Sequence, residues 1–208
     1  MHVKWPVCLQ FNNNIGEVTL TEQDRQKWNS RYLKNIGNSD PSEILKKFVS
    51  RAPKGIALDI ACGNGRNSKF LAQQGFQVDA VDISDIALGH LKNKGIDVIY
   101  QDIDTWQIPQ NRYQMIISIH FMDRRLFPGM QTGLKPGGLL IFESFVDDNK
   151  GYCLKHNELL NAFEFFNVLH YEEKEMKKSG KFDKSVSFVA IKKGGPVEFD
   201  SHTLPLFF

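Results

Sequence analysis

The sequence predicts an α/β domain: a mostly parallel sheet with helices on both faces, closed by a C-terminal antiparallel hairpin. Three observations carry this. Between Gly55 and Phe145, short apolar runs of strand length alternate with amphipathic stretches of helix length, the pattern of a parallel sheet covered on both sides. Two of the helical stretches stop at a glycine, Gly75 and Gly95, which takes up left-handed backbone angles just past a helix end without strain. Beyond Phe145, the runs Phe166 to Tyr171 and Val186 to Ile191 are joined by polar residues, Glu172 to Lys184, with no helical pattern between them. Such a connection suits a hairpin.

The elements follow in order. Residues 1–20 read as a leader, because Asn12, Asn13, Asn14 and Gly16 favour turns. Thr21 is a candidate cap for a helix that opens with Glu22 and Asp24, acids that suit its positive end. Trp28, Arg31 and Tyr32 lie three and four apart on that helix, hence on one face. The face serves either as a lid over a ligand, with Arg31 reaching a carboxylate, or as a plain amphipathic stripe with Trp28 in the core. After a break at Gly37 to Pro41, Ser42 opens a second helix with Ile44, Leu45, Phe48 and Val49 inward. The expected strands are Ile56 to Ala61, Gln77 to Val81, Asp97 to Tyr100, Met115 to Ile119 and Leu139 to Phe145. The helices between them are Asn67 to Gln74, Ser84 to Lys94 and Leu126 to Leu134, the last with Pro128 in its first turn. A helix at Asn157 to Phe163 precedes the hairpin. The organisation expected is a leader (1–20), one domain (21–193, its first part 21–50 a helical lid) and a tail (194–208) whose Leu204, Leu206, Phe207 and Phe208 are apolar enough to dock.

Composition bounds the function. The chain has 208 residues and a net charge of +2 from 26 basic and 24 acidic side chains. That balance removes the electrostatic argument for a duplex-DNA binder, so no nucleic-acid partner is expected. No window holds ~20 consecutive apolar residues, so no membrane span is expected. Cys8, Cys62 and Cys153 are far apart and form no C-x-x-C pair. The missing pair gives no signal of a zinc knuckle or redox dithiol, so no metal site is expected, and the odd count gives no disulfide framework, which fits a cytoplasmic location.

The informative segment is Ala57-Leu58-Asp59-Ile60-Ala61-Cys62-Gly63-Asn64-Gly65-Arg66-Asn67-Ser68, between the first strand and its helix. Gly63 and Gly65 let the backbone turn tightly and approach a ligand at the carboxyl edge of the sheet, where open α/β folds bind nucleotides. Asp82 ends the second strand, placed to accept both hydroxyl hydrogens of a ribose; Ser84 is better placed than Asp82 to cap the next helix. Asp102 follows the third strand, within reach of an adenine amino group. A dinucleotide site prefers a third glycine where this chain has Ser68. The acid Asp59 beside the loop suits a cationic ligand better. S-adenosylmethionine, with its sulfonium and ammonium, is such a ligand.

The stretch Asp59 to Asp82, DIACGNGRNSKFLAQQGFQVDAVD, resembles the class I S-adenosylmethionine-dependent methyltransferases, in particular the TehB type and related small bacterial enzymes. The turn Leu134-Lys135-Pro136-Gly137-Gly138 and the segment Trp28-Asn29-Ser30-Arg31-Tyr32 match further elements of that family. The resemblance implies a Rossmann-like sheet of seven strands in the order 3-2-1-4-5-7-6, the seventh antiparallel. It also implies that Gly63 and Gly65 pass the methionine moiety, that Asp82 holds the ribose, that Ile83 packs on the adenine and that Asp102 and Ile103 hold the base's other side. His120, after the fourth strand, would lie near the methyl group. Ile119-His120-Phe121-Met122 stands where enzymes acting on DNA bases have Asn-Pro-Pro-Tyr, which speaks against a nucleic-acid substrate.

The function expected is methyl transfer to a small-molecule acceptor by in-line displacement, with a thiol, a chalcogen oxyanion or another small nucleophile as acceptor. Alignment of the reacting atoms is the main task. A soft nucleophile needs little help from a base, whereas a phenol, acid or amine needs one. His120, Asp123 and Tyr32 are candidates, and no catalytic base is assigned among them. Two other readings stand beside this one. A non-catalytic domain acting through a protein partner is suggested by the apolar tail, and a nicotinamide-dependent oxidoreductase is disfavoured by Ser68 and the three acids. The sequence gives no signal of oligomeric state.

Overall fold

A computed structural model describes residues 22–35, 37–91, 95–103, 105–176, 182 and 184–194. The leader, the cap expected at Thr21 and the apolar tail lie outside the described residues. Helix α1 spans Glu22–Lys34, with acids in its first turn and Arg31 and Lys34 in its last, a distribution that opposes the helix dipole at each end. None of its residues is buried, so Trp28 does not join the core and α1 lies on the surface of the domain. Helix α2, Glu43–Phe48, runs into a single 3-10 turn at Val49–Arg51 and buries Ile44, Leu45 and Val49.

The alternating part follows as β1 (Ile56–Ile60), α3 (Arg66–Gln73), β2 (Gln77–Asp82), α4 (Asp85–Leu88), β3 (Ile96–Tyr100), β4 (Tyr113–Ile119), α5 (Phe127–Gly133), β5 (Leu134–Val146), α6 (Glu158–Ala162), β6 (Phe166–Glu175) and β7 (Lys184–Lys192). The strands form one sheet in the order β3-β2-β1-β4-β5-β7-β6. All pairs from β3 to β5 are parallel, and β7 pairs antiparallel with both β5 and β6. This is the seven-stranded, mostly parallel sheet with a closing hairpin that the sequence predicts.

Alternation along the strands separates two cores. Met115, Ile117, Leu139 and Ile141 pack with Ile44, Leu45, Val49 and Leu71 on one face. Ile116, Leu140 and Phe142 pack with Met130, Leu159 and Phe163 on the other. Both faces are therefore sealed from water over the central strands β1, β4 and β5, and the rim at the carboxyl ends of the strands is left as the functional surface. Strand order reverses between β1 and β4, and at such a switch point the following loops diverge and open a crevice. Among the described residues, no helix is long and apolar enough to cross a membrane.

Two expectations are corrected. The helix expected over Ser84 to Lys94 ends at Leu88; residues 92–94 lie outside the described set. Leu91, 1% exposed, is drawn beneath the glycine loop, where a Cβ on Gly65 would lie 1.9 Å from its Cδ2. Packing there outweighs helix continuation. The turn at Lys135 to Gly138 does not precede β5 but belongs to it. Tyr113 pairs with Leu134 and Met115 with Leu139, so the extra residues bulge out of the strand. Gly137 supplies the left-handed angle (φ 77°) that the bulge needs. The hairpin strands β6 and β7 also run further than their apolar cores, through Glu175 and from Lys184.

Candidate active site

The loop between β1 and α3 is held in an unusual backbone shape. Ala61, Gly63 and Gly65 have φ of 54°, 56° and 71°. The chain is pinned by Cys62 N–H donating to Val81 O at 3.0 Å and Gly65 N–H to Cys62 O at 3.0 Å. A Cβ on Gly63 would meet the Tyr32 hydroxyl at 2.4 Å, so glycine here lets α1 close directly onto the loop. Cys62 itself is buried; burial, with Asp59 and Asp82 close by, pushes its thiol well above the usual range, which makes it a packing residue and not a nucleophile.

The acids converge on this loop. Asp82, the last residue of β2, accepts from Gly63 N–H at 2.8 Å on Oδ2 and from Ser84 N–H at 2.8 Å on Oδ1. Burial raises its carboxyl above the usual value, against the pull of those backbone donors. Ser84 caps α4 as expected, its Oγ accepting from Ala87 N–H at 3.1 Å. Asp59 is 1% exposed and accepts from Ser68 Oγ at 2.5 Å. Burial pushes it up to about 7, with Asp82's charge adding to the rise and the Ser68 hydroxyl and Arg66 opposing it. Ser68, which replaces a third glycine, thus serves the Asp59 carboxyl. Asp102 lies just past β3, joined to this rim by Gln101 N–H donating to Asp82 O at 3.1 Å. Ile83 is half-buried and Ile103 is 5% exposed, both against the core beneath the rim.

Helix α1 lies over the same rim. Asn29 receives a hydrogen bond from Ser84 Oγ at 2.6 Å and donates to Asp85 at 2.7 Å, while Arg25 pairs with Asp85 at 2.8 Å. Arg31 stacks over Trp28 at 5.4 Å, and Trp28 stands 6.3 Å from the Tyr32 ring. Burial and the nearby Asp82 raise the Tyr32 phenol well above its ordinary value, so it stays protonated and is no base at neutral pH. The segment after α1 is tied across the loop by Asn64 Nδ2 donating to Asn38 O at 2.9 Å and Arg66 Nη1 to Asp40 O at 2.6 Å.

His120 sits on the other side of β1, past the end of β4. Its φ is 60°, and its amide donates to Glu143 O at 2.7 Å. Its Nε2 lies 2.9 Å from Glu143 Oε1, and its ring stacks on Phe145 at 5.7 Å. Ser42 Oγ donates to Glu143 Oε2 at 2.6 Å; this hydroxyl makes no cap bond to α2, contrary to the role its position suggests. Burial would raise Glu143, but the bonds from His120 and Ser42 and the charge of Arg66 bring it below the usual range. Glu143 also borders a cavity of about 330 Å³ between α2 and the β6–β7 hairpin, with Ile44, Lys47, His170 and Ser187 among its walls. Asp123, the third base candidate, is buried and bound by Arg125 at 2.5 Å.

Asp59, Gly63, Gly65, Asp82 and Tyr32 therefore gather around the loop, Arg31 lies against Trp28 on α1, Asp102, Ile83 and Ile103 extend the rim toward β3, and His120 extends it toward β5. The sequence reading missed Glu143, Ser42 as its donor, and Asn29. A lone carboxylate inside the apolar run Leu139 to Val146 was the available signal for the first, since a buried charge needs a partner.

The donor set fits S-adenosylmethionine. The partners shown for Asp59 and Asp82 are a hydroxyl and backbone N–H groups, which leave net negative charge in a buried place and favour a cationic ligand. The comparisons agree. Residues 57–138 match the methyltransferase domain family. The chain is 28% identical over 123 residues to a ubiquinone biosynthesis O-methyltransferase of Coxiella burnetii, covering 54% of this chain and 51% of that protein. It is 31% identical over 146 residues to malonyl-[acyl-carrier protein] O-methyltransferase 2 of Ilyobacter polytropus, covering 60% and 56%. The chain thus spans about half the length of the curated relatives it matches. TehB from Haemophilus influenzae superposes with a TM-score of 0.60 at 20% identity, over 81% of this chain and 67% of that one, a likeness of fold. Sheet order and glycine loop resemble those of class I methyltransferase domains, whose cofactor is S-adenosylmethionine, and residues 57–138 carry the family match. In fold the chain is similar to TehB.

Proposed function

We propose that this chain transfers a methyl group from S-adenosylmethionine to a small-molecule acceptor by in-line displacement, and that it does so in the cytoplasm. The observation that carries the reading is the Gly63 amide tied to the Asp82 carboxylate at the β1–β4 switch point, with Asp59 buried behind it. The cofactor supplies an activated methyl group on a positively charged sulfur. The chain's own residues do the rest. Asp82 holds the ribose hydroxyls and Asp102 the amino edge of the base. Ile83 and Ile103 hold its faces. Asp59 offsets the cofactor's positive charge. Arg31 and Tyr32 close over the methionine end, and α1 excludes water. The domain extends from the lid (21–50) through residue 193, with the leader and tail outside it. The names of the two curated relatives favour oxygen as the acceptor atom.

Calorimetric titration with S-adenosylmethionine, S-adenosylhomocysteine and NADH tests this. Binding of the first two is expected. Binding of NADH alone overturns the reading and leaves an oxidoreductase. A panel of phenols, carboxylic acids, thiols and tellurite, scanned for S-adenosylhomocysteine release, then identifies the acceptor class.

A further inference from the structure

Helix α1 lies over the rim without a buried residue of its own, so apolar packing, the usual anchor of a helix, does not hold it. Polar ties do. Arg25 and Asn29 fasten the helix itself to Ser84 and Asp85. A second set fastens the segment that follows it. Asn64 Nδ2 donates to Asn38 O at 2.9 Å, Arg66 Nη1 donates to Asp40 O at 2.6 Å, and Asn67 Oδ1 accepts from Ser42 N–H at 3.0 Å. These side chains come from the glycine loop and the first turn of α3. The segment is shaped to meet them: Asp40 N–H donates to Asn38 Oδ1 at 2.9 Å, a local turn that asparagine favours, and Pro41 fixes the next φ. At its far end the segment reaches β5, where Ser42 Oγ donates to Glu143 Oε2 at 2.6 Å. Residues 38–42 therefore cross from α3, which follows β1, to β5 on the other side of the switch point.

We propose that Arg66, with Asn64 and Asn67 beside it, is a positioning residue that straps residues 38–42 across the crevice and thereby sets how fast S-adenosylmethionine enters and leaves beneath α1. The fastening is a property of the fold; its effect on the cofactor rests on the methyl-transfer reading. Arg66 stands at the middle of the strap. Its charge reaches both Asp59 and Glu143 and opposes the rise that burial gives each carboxyl. Its target is a main-chain carbonyl, which a guanidinium holds with a charge-assisted bond. The bonds to Asn38 O and Asp40 O are exposed, and an exposed hydrogen bond exchanges readily for water, as a fastening that opens in every cycle requires. The ties start on the loop that carries Gly63 and Gly65, so a ligand that steadies the loop steadies the strap, and the strap steadies the ligand in return.

The test uses the whole chain. Amide hydrogen exchange is first followed by mass spectrometry without added ligand. Arg66→Gln is expected to raise exchange severalfold in peptides from residues 22–42 and to leave β4 and β5 as protected as in the wild type. Asn64→Ala, which removes a tie without removing a charge, should do the same to a smaller extent. Release of S-adenosylhomocysteine, chased with excess S-adenosylmethionine in stopped flow, should be severalfold faster in both variants. Exchange unchanged in both variants, or residues 22–42 already unprotected in the wild type, overturns the strap. Exchange raised throughout the chain makes Arg66 part of the fold and overturns its positioning role. Exchange raised in residues 22–42 with release unchanged overturns the control of the cofactor. Faster release in Arg66→Gln alone assigns the effect to the lost charge and overturns the strap as its cause. If S-adenosylhomocysteine fails to bind the wild type, the methyltransferase reading falls, while the exchange result still decides the strap.

Discussion

At the scale of single residues, burial decides the chemistry. Asp82 spends both carboxylate oxygens on backbone N–H groups at 2.8 Å, so it is oriented before any ligand arrives. Its loss costs the ligand a charge-assisted pair, worth about 1.5–3 kcal/mol. Asp82→Ala should therefore weaken S-adenosylmethionine binding roughly tenfold or more by calorimetry; unchanged affinity would show that Asp82 does not hold the ribose. Asp59 gives a pH signature. Its carboxyl rises from 3.8 to about 7 on folding. The folded chain thus holds this proton more tightly than the unfolded one, so the stability it confers is complete below about pH 4 and is lost as pH rises through 7. Asp59→Asn keeps an acceptor for Ser68 and removes the titration. Between pH 5 and pH 8 the wild type should lose about 2–3 kcal/mol more than the variant in urea unfolding. Equal losses would mean that Asp59 is ionised throughout. The same shift implies that a cationic ligand releases a proton below pH 7, visible as a buffer-dependent heat of binding.

At the scale of elements, what the sequence showed and what it hid divide along a physical line. Strands β1, β4 and β5 were legible because two-sided burial writes apolar runs, and the hairpin because its connection lacks helical periodicity. The loop was legible because left-handed angles demand glycine. The early end of α4 was not, because it depends on Leu91 packing under Gly65, a contact set by tertiary structure. Ser42 and Glu143 are 101 residues apart, and local pattern does not pair such residues. Gly65→Ala tests the first of these contacts. A methyl group there meets a buried Leu91 and takes a φ of 71°, so a loss of about 1–3 kcal/mol is expected in urea unfolding; a neutral result would show that Leu91 can move aside. Helix α1 makes the opposite case. It buries no residue and is latched by Asn29 to Ser84 and Asp85. Asn29→Ala should leave global stability nearly unchanged and speed cofactor release severalfold in stopped-flow measurements. A large stability loss instead would make α1 part of the fold and not a lid.

At the scale of the whole molecule, the two sealed cores and the open rim assign different tasks to different parts of the chain. The sheet faces supply stability without a ligand, and the rim concentrates buried negative charge that a ligand must offset. A compound that binds only the folded state stabilises it by about 2.7 kcal/mol at a hundredfold excess over Kd. For a chain of this size that raises Tm by roughly 5–10 °C. S-adenosylmethionine, which carries a sulfonium, should therefore stabilise the wild type more than neutral-sulfur S-adenosylhomocysteine does at equal concentration. Asp59→Asn should narrow the difference, because the missing carboxylate no longer favours the positive ligand. Thermal scans at constant pH and salt with both compounds read this directly. If the two ligands give equal shifts in wild type and variant, Asp59 does not sense the sulfonium, and the buried carboxylates serve the shape of the loop and not the charge of the cofactor.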